Sequence, residues 1–236
     1  MPACDLVSTP PPATPSRSVL LVEDDALLRG LLASALGMSG FACEATASAA
    51  EARDMFDRGD HDALVLDIDL GSGPNGFDLA ELILRKSPST AVVFLTSLPD
   101  PRFAERDSKG LPKGVAYLRK SNVSNVSLVI EALDAVLRGT RVGDFRHDRE
   151  PDRPLAGLTR KQVRVMRLAA SGQTNSQIAQ ECGVSVNAID DTIGRAFQSL
   201  RVEGTVEGNV RVAAVRRFLE VTGGRTGIPA RRAETA

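Results

Sequence analysis

The sequence is poor in several residue types, and each shortage excludes a class of protein. Its 236 residues include no tryptophan, one tyrosine, two histidines and three cysteines. The cysteines, Cys4, Cys43 and Cys182, are odd in number and lack metal-ligand spacing. This pattern indicates free thiols in a reducing cytoplasm rather than a disulfide framework. The two histidines are far apart, so a zinc site is not expected.

Long apolar runs are also missing. No stretch approaches the roughly 20 apolar residues that a membrane helix needs, so we expect a cytoplasmic protein with no membrane partner. Residues 1–16 hold five prolines and no apolar core. That composition predicts a disordered lead-in rather than a signal peptide.

Charge is divided unevenly along the chain. After Pro154 there are twelve basic and seven acidic residues, a net charge of +5, so the whole-chain value of −1 leaves −6 for the part before it. An acidic part joined to a basic part predicts a cation site in the first and a polyanionic partner for the second.

Short apolar runs alternate with helical patterns over residues 17–139. This alternation is typical of a doubly wound α/β domain with a five-stranded parallel sheet of flavodoxin type, in the order 2-1-3-4-5. The polar stretch 99–114 is interrupted by Gly110 and Pro112 and predicts at most a short or mobile helix. The predicted strands are residues 18–22, 41–45, 62–66, 91–95 and 115–118.

Strand signals end before the second half of the chain. Residues 140–154 contain Gly143, Pro151, Pro154 and many charged residues, which predicts a linker. Four helical patterns then predict a small all-α domain over residues 155–222, and residues 223–236 predict a flexible tail.

Carboxylates follow two of the predicted strands. Glu23 and Asp24 come directly after the first strand and Asp67 after the third. Because these strands are neighbours in the predicted order, the three side chains should converge at the carboxyl edge of the sheet. Clustered hard oxygen ligands suit Mg²⁺, and Asp69 can offer its backbone carbonyl to the same ion.

Two further polar groups reach the same edge. Thr96 follows the fourth strand and Lys120 follows the fifth. A metal, an ammonium and a hydroxyl around one aspartate predict a phosphoryl-transfer site in which Asp67 is the nucleophile.

The pattern Glu23-Asp24, Asp67, Thr96 and Lys120 resembles the receiver domain of response regulators. The resemblance implies that a sensor histidine kinase phosphorylates Asp67, and that the chain accepts the group without turning over as an enzyme. Asp24 would bind Mg²⁺ directly and Glu23 through water, while Thr96 and Lys120 would contact the phosphoryl oxygens. Tyr117 matches the aromatic residue that turns inward when the hydroxyl moves. One departure is Ser121, since the family usually has proline after the lysine.

A second family shares part of the motif. Asp67-Ile68-Asp69 also resembles the Asp-x-Asp of haloacid-dehalogenase-type phosphohydrolases, in which the second aspartate is a general acid and base. That family has Thr or Val at the position of Gly71 and carries the motif on its first strand. Steady phosphatase turnover would favour this alternative.

The basic part resembles the LuxR-type helix-turn-helix module over residues 158–219. The resemblance rests on the segments 157–168, 171–179 and 183–185, the last of which includes the turn. It implies binding to double-stranded DNA, and homodimerisation on phosphorylation through Val210, Ala213, Ala214 and Phe218 of the last helix. The outward face of the third helix predicts contacts to bases or phosphates from Asn187, Asp191, Thr192, Arg195 and Gln198.

The same helix also departs from its family. Asp190 stands where the family usually has lysine, and Asp191 adds a second negative charge that a polyanion would repel. Gly194 weakens the helix by about 1 kcal/mol relative to alanine. These features leave open an alternative in which the helical domain of a phosphorylation-dependent adaptor binds protein rather than DNA.

Overall fold

The computed structural model describes residues 16–71, 73–104, 111–153, 155–200 and 210–222. The first domain contains a five-stranded parallel sheet in the order β2-β1-β3-β4-β5. This order confirms the predicted doubly wound fold. The strands are β1 (Ser18–Val22), β2 (Ala42–Thr46), β3 (Ala63–Leu66), β4 (Ala91–Thr96) and β5 (Ala116–Arg119).

Helices cover both faces of the sheet. Side chains alternate along each strand, so Leu20 and Leu64 face one apolar layer while Leu21 and Val65 face the other. The first layer is closed by α2 and α3 and the second by α1 and α4, which explains why the central strands are apolar throughout. The four helices are α1 (Ala26–Met38), α2 (Ala49–Arg58), α3 (Gly76–Lys86) and α4 (Ser127–Arg138).

Polar caps start three of these helices close behind the strands. Asp25 accepts the amide of Leu28 at the start of α1, and Ser48 accepts the amide of Glu51 at the start of α2. Asn75 forms a reciprocal capping box with Asp78 at the start of α3. The caps of α1 and α3 fix the loops that follow β1 and β3, where the predicted site lies.

The described residues between β4 and β5 contain little helix. A single 3₁₀ turn, Pro101–Ala104, follows β4, and residues 105–110 lie outside the described part of the chain. This agrees with the expectation of at most a short helix within 99–114.

The segment predicted as a linker is folded against the sheet. Two 3₁₀ turns, Val142–Phe145 and His147–Arg149, run beside β5. Arg146 forms a parallel bridge with Tyr117, and His147 Nδ1 accepts the Arg119 N–H at 3.1 Å. Residues 140–150 therefore pack against the edge strand β5 and are not a solvent-exposed linker.

The second domain is all-helical, as predicted. A small core of Val165, Leu168, Ile178 and Ile189 holds α5, α6 and α7 together. Gly183 ends α6 in the left-handed conformation, which makes the turn into α7. The helices are α5 (Arg160–Ala170), α6 (Asn175–Cys182), α7 (Val186–Ser199) and α8 (Val210–Thr222).

The predictions for the two ends of the chain concern residues that the structure does not describe. Residues 1–15 and 223–236 lie outside the described ranges. Among the helices that are described, none has both the length and the apolar character needed to cross a membrane.

Candidate functional site

Three carboxylates meet at the carboxyl edge of the sheet. Val22 of β1 pairs in register with Leu66 of β3, so the residues that follow these two positions emerge side by side. One oxygen each from Glu23, Asp24 and Asp67 lies within 4.8 Å of the others. Glu23 and Asp67 are buried, and Asp24 is half-buried. The convergence that the sequence predicts is therefore present.

Lys120 joins this cluster from the end of β5. Its Nζ lies 2.7 Å from Glu23 Oε1 and 2.6 Å from Asp67 Oδ2. Burial raises the pKa of Glu23, and the charge of Asp67 adds to the rise although Lys120 opposes it. Burial alone would lower the pKa of Lys120, but Asp67 and Glu23 outweigh burial and raise it. Lys120 therefore stays charged at neutral pH and neutralises part of the cluster.

The cluster has the chemistry of a cation site. Three carboxylates face a single ammonium, so negative charge remains in excess. Glu23 Oε2 is buried and has no hydrogen-bond partner among the residues described. An unpaired buried oxygen of this kind is costly unless a ligand takes it up. Hard oxygen donors at an open strand end fit a divalent cation.

The main chain around Asp67 is held from two sides. The Asp67 N–H donates to the Val22 carbonyl at 2.8 Å, and Asp67 Oδ1 accepts the Asp69 N–H at 3.1 Å. Gly76 packs so closely that a Cβ there would collide with the Asp67 carbonyl oxygen. This packing fixes the position of the Asp67 main chain. The contact predicted for the Asp69 carbonyl with a metal stays a prediction.

Arg29 is a member of the site that the sequence reasoning missed. It lies on the first turns of α1, where its Nη1 donates to the carbonyls of Glu23 at 2.7 Å and Asp24 at 3.2 Å. The guanidinium thus stabilises the main chain of the loop that carries Glu23 and Asp24. A basic residue five positions after an acidic pair, at the start of a helix, is the sequence signal that could have revealed it.

Thr96 and Tyr117 are both buried and are linked through Leu98. Thr96 Oγ1 accepts the Leu98 N–H at 3.3 Å, and the Tyr117 hydroxyl donates to the Leu98 carbonyl at 3.1 Å. Burial raises the pKa of Tyr117, and Asp100 raises it further. The structure therefore has Tyr117 in the inward position that the resemblance associates with a moved hydroxyl.

Four of the five residues predicted to contact DNA share one exposed face. They lie on α7, opposite the buried Ile189 and Ala196. The face is open to solvent, so no other described part of the chain blocks it. Its members are Asn187, Asp191, Arg195 and Gln198. Their contacts with DNA stay a prediction.

Thr192 requires a correction. Only 2% of its surface is exposed, and its hydroxyl donates to the Ala188 carbonyl at 2.6 Å. On the helix it lies beside Ile189 and Ala196, so it faces the domain core. A hydroxyl satisfied by the preceding turn and buried in this way does not reach a base or a phosphate.

Asp190 is part of a polar chain between three helices. Its Oδ1 accepts the side-chain amide of Asn175, and Asn175 Oδ1 accepts a hydrogen bond from Arg211. Arg211 also donates to the Gln173 carbonyl. Asp190 thereby links α7 to α6 and, through Asn175, to α8, which is a structural role that the sequence did not predict.

The predicted dimer contact on α8 also needs correction. Ala214 and Phe218 are buried within the chain, and the Phe218 ring stacks on Phe103 of the first domain at 5.6 Å between ring centroids. Ala213 is half-buried, and the side chain of Val210 lies outside the described residues. In this arrangement the apolar side of α8 is used inside the molecule.

Comparison with known proteins gives two family matches in separate parts of the chain. Residues 19–109 match the response regulator receiver domain, and residues 156–211 match the bacterial regulatory proteins of the luxR family. The first match covers the carboxylate cluster, and the second covers the turn and α7.

Individual proteins resemble the chain over most of its length. The transcriptional regulatory protein DesR of Bacillus subtilis is 25% identical over 203 residues, which cover 82% of this chain and 95% of DesR. The nitrate/nitrite response regulator protein NarP of Escherichia coli is 29% identical over 227 residues, which cover 90% of this chain and 99% of NarP.

A solved structure has a similar two-domain architecture. RcsB of Salmonella enterica serovar Typhimurium, bound to a promoter, superposes with a TM-score of 0.54 at 18% identity, covering 87% of this chain and 99% of that chain. At this level of identity the likeness concerns the fold alone.

Proposed function

Because the chain belongs to the response regulators that join a receiver domain to a LuxR-family helix-turn-helix domain, we propose that a histidine kinase phosphorylates it on Asp67 to control transcription. The observation that carries the proposal is the buried Asp67 carboxylate, which lies 2.6 Å from Lys120 and beside Glu23 and Asp24.

The site contains the groups that this reaction needs. An Asp67 oxygen forms a bond to phosphorus while the nitrogen–phosphorus bond of a phosphohistidine breaks, so the product is an acyl phosphate. Lys120 neutralises negative charge on the transferring oxygens. Glu23, Asp24 and Asp67 would hold Mg²⁺, which supplies the remaining positive charge when bound. In this role the chain accepts one phosphoryl group and does not turn over as an enzyme.

Replacement of the acceptor tests the assignment. We expect Asp67→Asn to abolish labelling of the full chain by acetyl phosphate with Mg²⁺, measured as the mass gain of one phosphoryl group. Asp62→Asn is the control, because Asp62 lies at the opposite end of β3 and pairs with Arg17. Equal labelling of both variants would show that the acceptor is elsewhere.

A phosphate-release assay distinguishes the receiver assignment from the haloacid-dehalogenase alternative. An acceptor takes up one phosphoryl group per chain and then loses it slowly. A phosphohydrolase instead releases phosphate continuously from a small phosphate ester, so steady turnover that depends on Asp67 would favour that family.

We propose double-stranded DNA as the partner of the exposed α7 face, with a homodimer as the binding form after phosphorylation in the cytoplasm. Asn187, Arg195 and Gln198 provide donors suited to base edges and phosphates. A mobility-shift measurement with and without phosphodonor tests this. We expect salt-sensitive binding that tightens on phosphorylation, and absence of such binding in both forms contradicts it.

One structural observation favours the alternative in which the helical domain binds protein rather than DNA. Asp191 is exposed on α7 and would repel phosphate groups. Asp190, in contrast, accepts a hydrogen bond from the Asn175 side-chain amide, which directs its carboxylate towards α6. Capture of a protein partner only by the phosphorylated chain, together with no DNA binding, would favour the adaptor.

A further inference from the structure

The segment that follows α4 packs against the end of β5 from which Lys120 emerges. Residues 146–150 run along the outer side of this edge strand, and we call them the cover. The cover forms a parallel bridge with β5 through Arg146, and His147 Nδ1 accepts the Arg119 N–H at 3.1 Å. It thereby holds the main chain of β5 up to the residue that directly precedes Lys120.

Glu150, the last residue of the cover, contacts the chain on both sides of Lys120. Its Oε2 accepts a hydrogen bond from Arg119 Nη2 and a second, at 3.5 Å, from Asn122 Nδ2. Arg119 is buried, so its guanidinium depends strongly on the carboxylate that pairs with it. One carboxylate oxygen therefore joins the residue before Lys120 to the residue two positions after it.

The turn that begins at Lys120 is held only weakly by its own residues. It is a single 3₁₀ turn, closed by a hydrogen bond from the Val123 N–H to the Lys120 carbonyl at 3.3 Å. Ser121 is exposed, and its hydroxyl bonds to the neighbouring Asn122 side chain at 3.2 Å. A proline at this position would fix one backbone dihedral angle, whereas serine leaves it free. The constraint on this turn therefore comes from outside it, through Glu150.

The position of the Lys120 main chain decides where its ammonium lies. Its Nζ is 2.6 Å from Asp67 Oδ2 and 2.7 Å from Glu23 Oε1. During phosphoryl transfer the same nitrogen must neutralise charge on the transferring oxygens. Such groups must be held within about 0.5 Å of the productive geometry, and a misplacement of about 1 Å can cost roughly 100-fold in rate. A lysine on a loosely held turn would meet this requirement poorly.

We propose that Glu150 is a positioning residue for Lys120 in the phosphorylation of Asp67. Its carboxylate acts through the residues on either side of the lysine and fixes the turn that carries it. The proposal rests on the proposed function, because it takes Asp67 as the acceptor and Lys120 as the group that neutralises charge. It extends the acceptor site beyond residues 19–109, which match the receiver domain, to a residue that follows α4.

Glu150→Ala in the full-length protein tests this role directly. We expect the rate of labelling by acetyl phosphate with Mg²⁺ to fall about tenfold, because the Lys120 ammonium remains but is misplaced. Glu150→Gln keeps an oxygen that can accept the same hydrogen bonds, and it should recover part of the rate. Asp152→Ala is the matched control, since Asp152 is an exposed carboxylate two positions further along the chain. This control should label at the rate of the wild type.

A double-mutant comparison separates positioning of Lys120 from a general loss of structure. In a Lys120→Met chain the ammonium is absent, so adding Glu150→Ala should slow labelling no further, because the two residues act as one unit. The slow labelling of these chains is followed over correspondingly longer times. A general loss of structure would slow labelling by the same factor in both backgrounds, so additive effects of the two substitutions overturn the proposal.

Mg²⁺ binding gives a readout that does not depend on labelling. Glu23, Asp24 and Asp67 all remain in the Glu150→Ala chain, so we expect its affinity for Mg²⁺, measured by calorimetry, to equal that of the wild type. A slower reaction with unchanged Mg²⁺ affinity supports a role through Lys120. A fall in Mg²⁺ affinity as large as the fall in labelling rate would show that Glu150 supports the whole carboxylate cluster, and this outcome overturns the proposal.

The mass of the intact chain distinguishes failure of the positioning role from failure of the proposed function. A wild type that gains no phosphoryl group, or that labels no better than Asp67→Asn, contradicts Asp67 as the acceptor, and Glu150 then has no reaction to support. If the wild type labels on Asp67 and the Glu150→Ala chain labels at the same rate, the positioning role is wrong and the proposed function stands.

Discussion

The acceptor site and the recognition face are both sets of polar residues, yet they are constrained very differently. At the acceptor site, Glu23, Asp67 and Lys120 are held within hydrogen-bonding distance and largely removed from water. On α7, residues such as Asn187 and Gln198 project into solvent. The first arrangement has little freedom to vary without loss of structure, whereas the second can change its residues and keep its fold.

This difference determines where a family resemblance is informative. At the sheet edge the chain has the three carboxylates, the ammonium and the hydroxyl that the receiver resemblance implies. On α7, Asp190 stands where the family usually has lysine, and Asp191 adds a second acidic residue. The fold tolerates both because Asp190 accepts a hydrogen bond from Asn175 and Asp191 is exposed. Substitutions should therefore have large effects at the first region and small effects at the second.

The largest expected effect is at Gly76, where the main chain of α3 touches the acceptor strand. Gly76→Ala would place a Cβ against the Asp67 carbonyl oxygen, and we expect a loss of about 2–3 kcal/mol in the free energy of unfolding, as for other overpacked sites. Urea denaturation measures it. Gly30→Ala on α1 meets no atom within 4 Å and should instead stabilise by about 1 kcal/mol. Similar free energies of unfolding for the two variants would show that the packing at Gly76 is not especially tight.

Lys120 should affect the chemistry more than the fold. We expect Lys120→Met to slow labelling by acetyl phosphate by roughly 100-fold, the usual loss when one charge-stabilising donor is removed. Mg²⁺ binding, followed by calorimetry, should persist because the three carboxylates remain. The control is Lys86→Met, which removes only an exposed pair with Asp57. Normal labelling without Lys120 would contradict its assigned role.

His147, in the segment that covers β5, predicts a dependence of stability on pH. Its Nδ1 accepts the Arg119 N–H, so the ring must be unprotonated there. Burial lowers its pKa below the ordinary 6.5, Arg119 adds to this, and Glu150 and Asp148 act against it.

The sign of the effect follows from this shift. The unfolded chain takes up the proton more readily than the folded one, so the stabilisation by His147 is complete above pH 6.5 and declines as pH falls below it. We expect the wild type to lose more stability than His147→Asn between pH 7.5 and 5.5, because an asparagine oxygen can replace Nδ1 as acceptor. Thermal unfolding at both pH values measures the difference, and parallel curves would exclude this role.

The smallest effect is expected on the recognition face. Asp191→Asn removes one negative charge from the face proposed to bind DNA, so we expect affinity for a random duplex to rise several-fold at low salt, with the stability of the chain unchanged. Fluorescence anisotropy at several salt concentrations measures it. Asp134→Asn, an exposed carboxylate on α4, is the control and should leave binding unaltered. A change in the stability of the Asp191→Asn variant would show that the exposed face of α7 is structurally constrained, as the carboxylate cluster is.

Much of the first domain could be predicted because buried parallel strands are apolar throughout and end at polar residues. The topology then brings Glu23, Asp67 and Lys120 to one edge, since the carboxyl ends of parallel strands all lie there. Arg29 was missed because its partners are main-chain carbonyls, and its position after the acidic pair is a weak signal beside that of the carboxylates.

Other features depend on packing that periodicity does not encode. The charged linker looks solvated in the sequence, yet Arg146 and Asp148 form a buried bidentate pair at 2.7 and 2.8 Å. Thr192 is polar, yet the Ala188 carbonyl satisfies its hydroxyl and allows it to be buried. Contacts across long sequence separations, such as Phe103 with Phe218, bury part of the apolar side of α8, and no local pattern indicates them.

The folded linker also changes where the first domain can be cut. A fragment that ends at Gly139, where α4 stops, would lose the Arg146 bridge and the His147 acceptor and leave β5 as a bare edge strand. Unprotected edges of this kind recruit strands from other molecules. We therefore expect such a fragment to self-associate, whereas one that ends after Glu150 keeps its own cover and stays monodisperse.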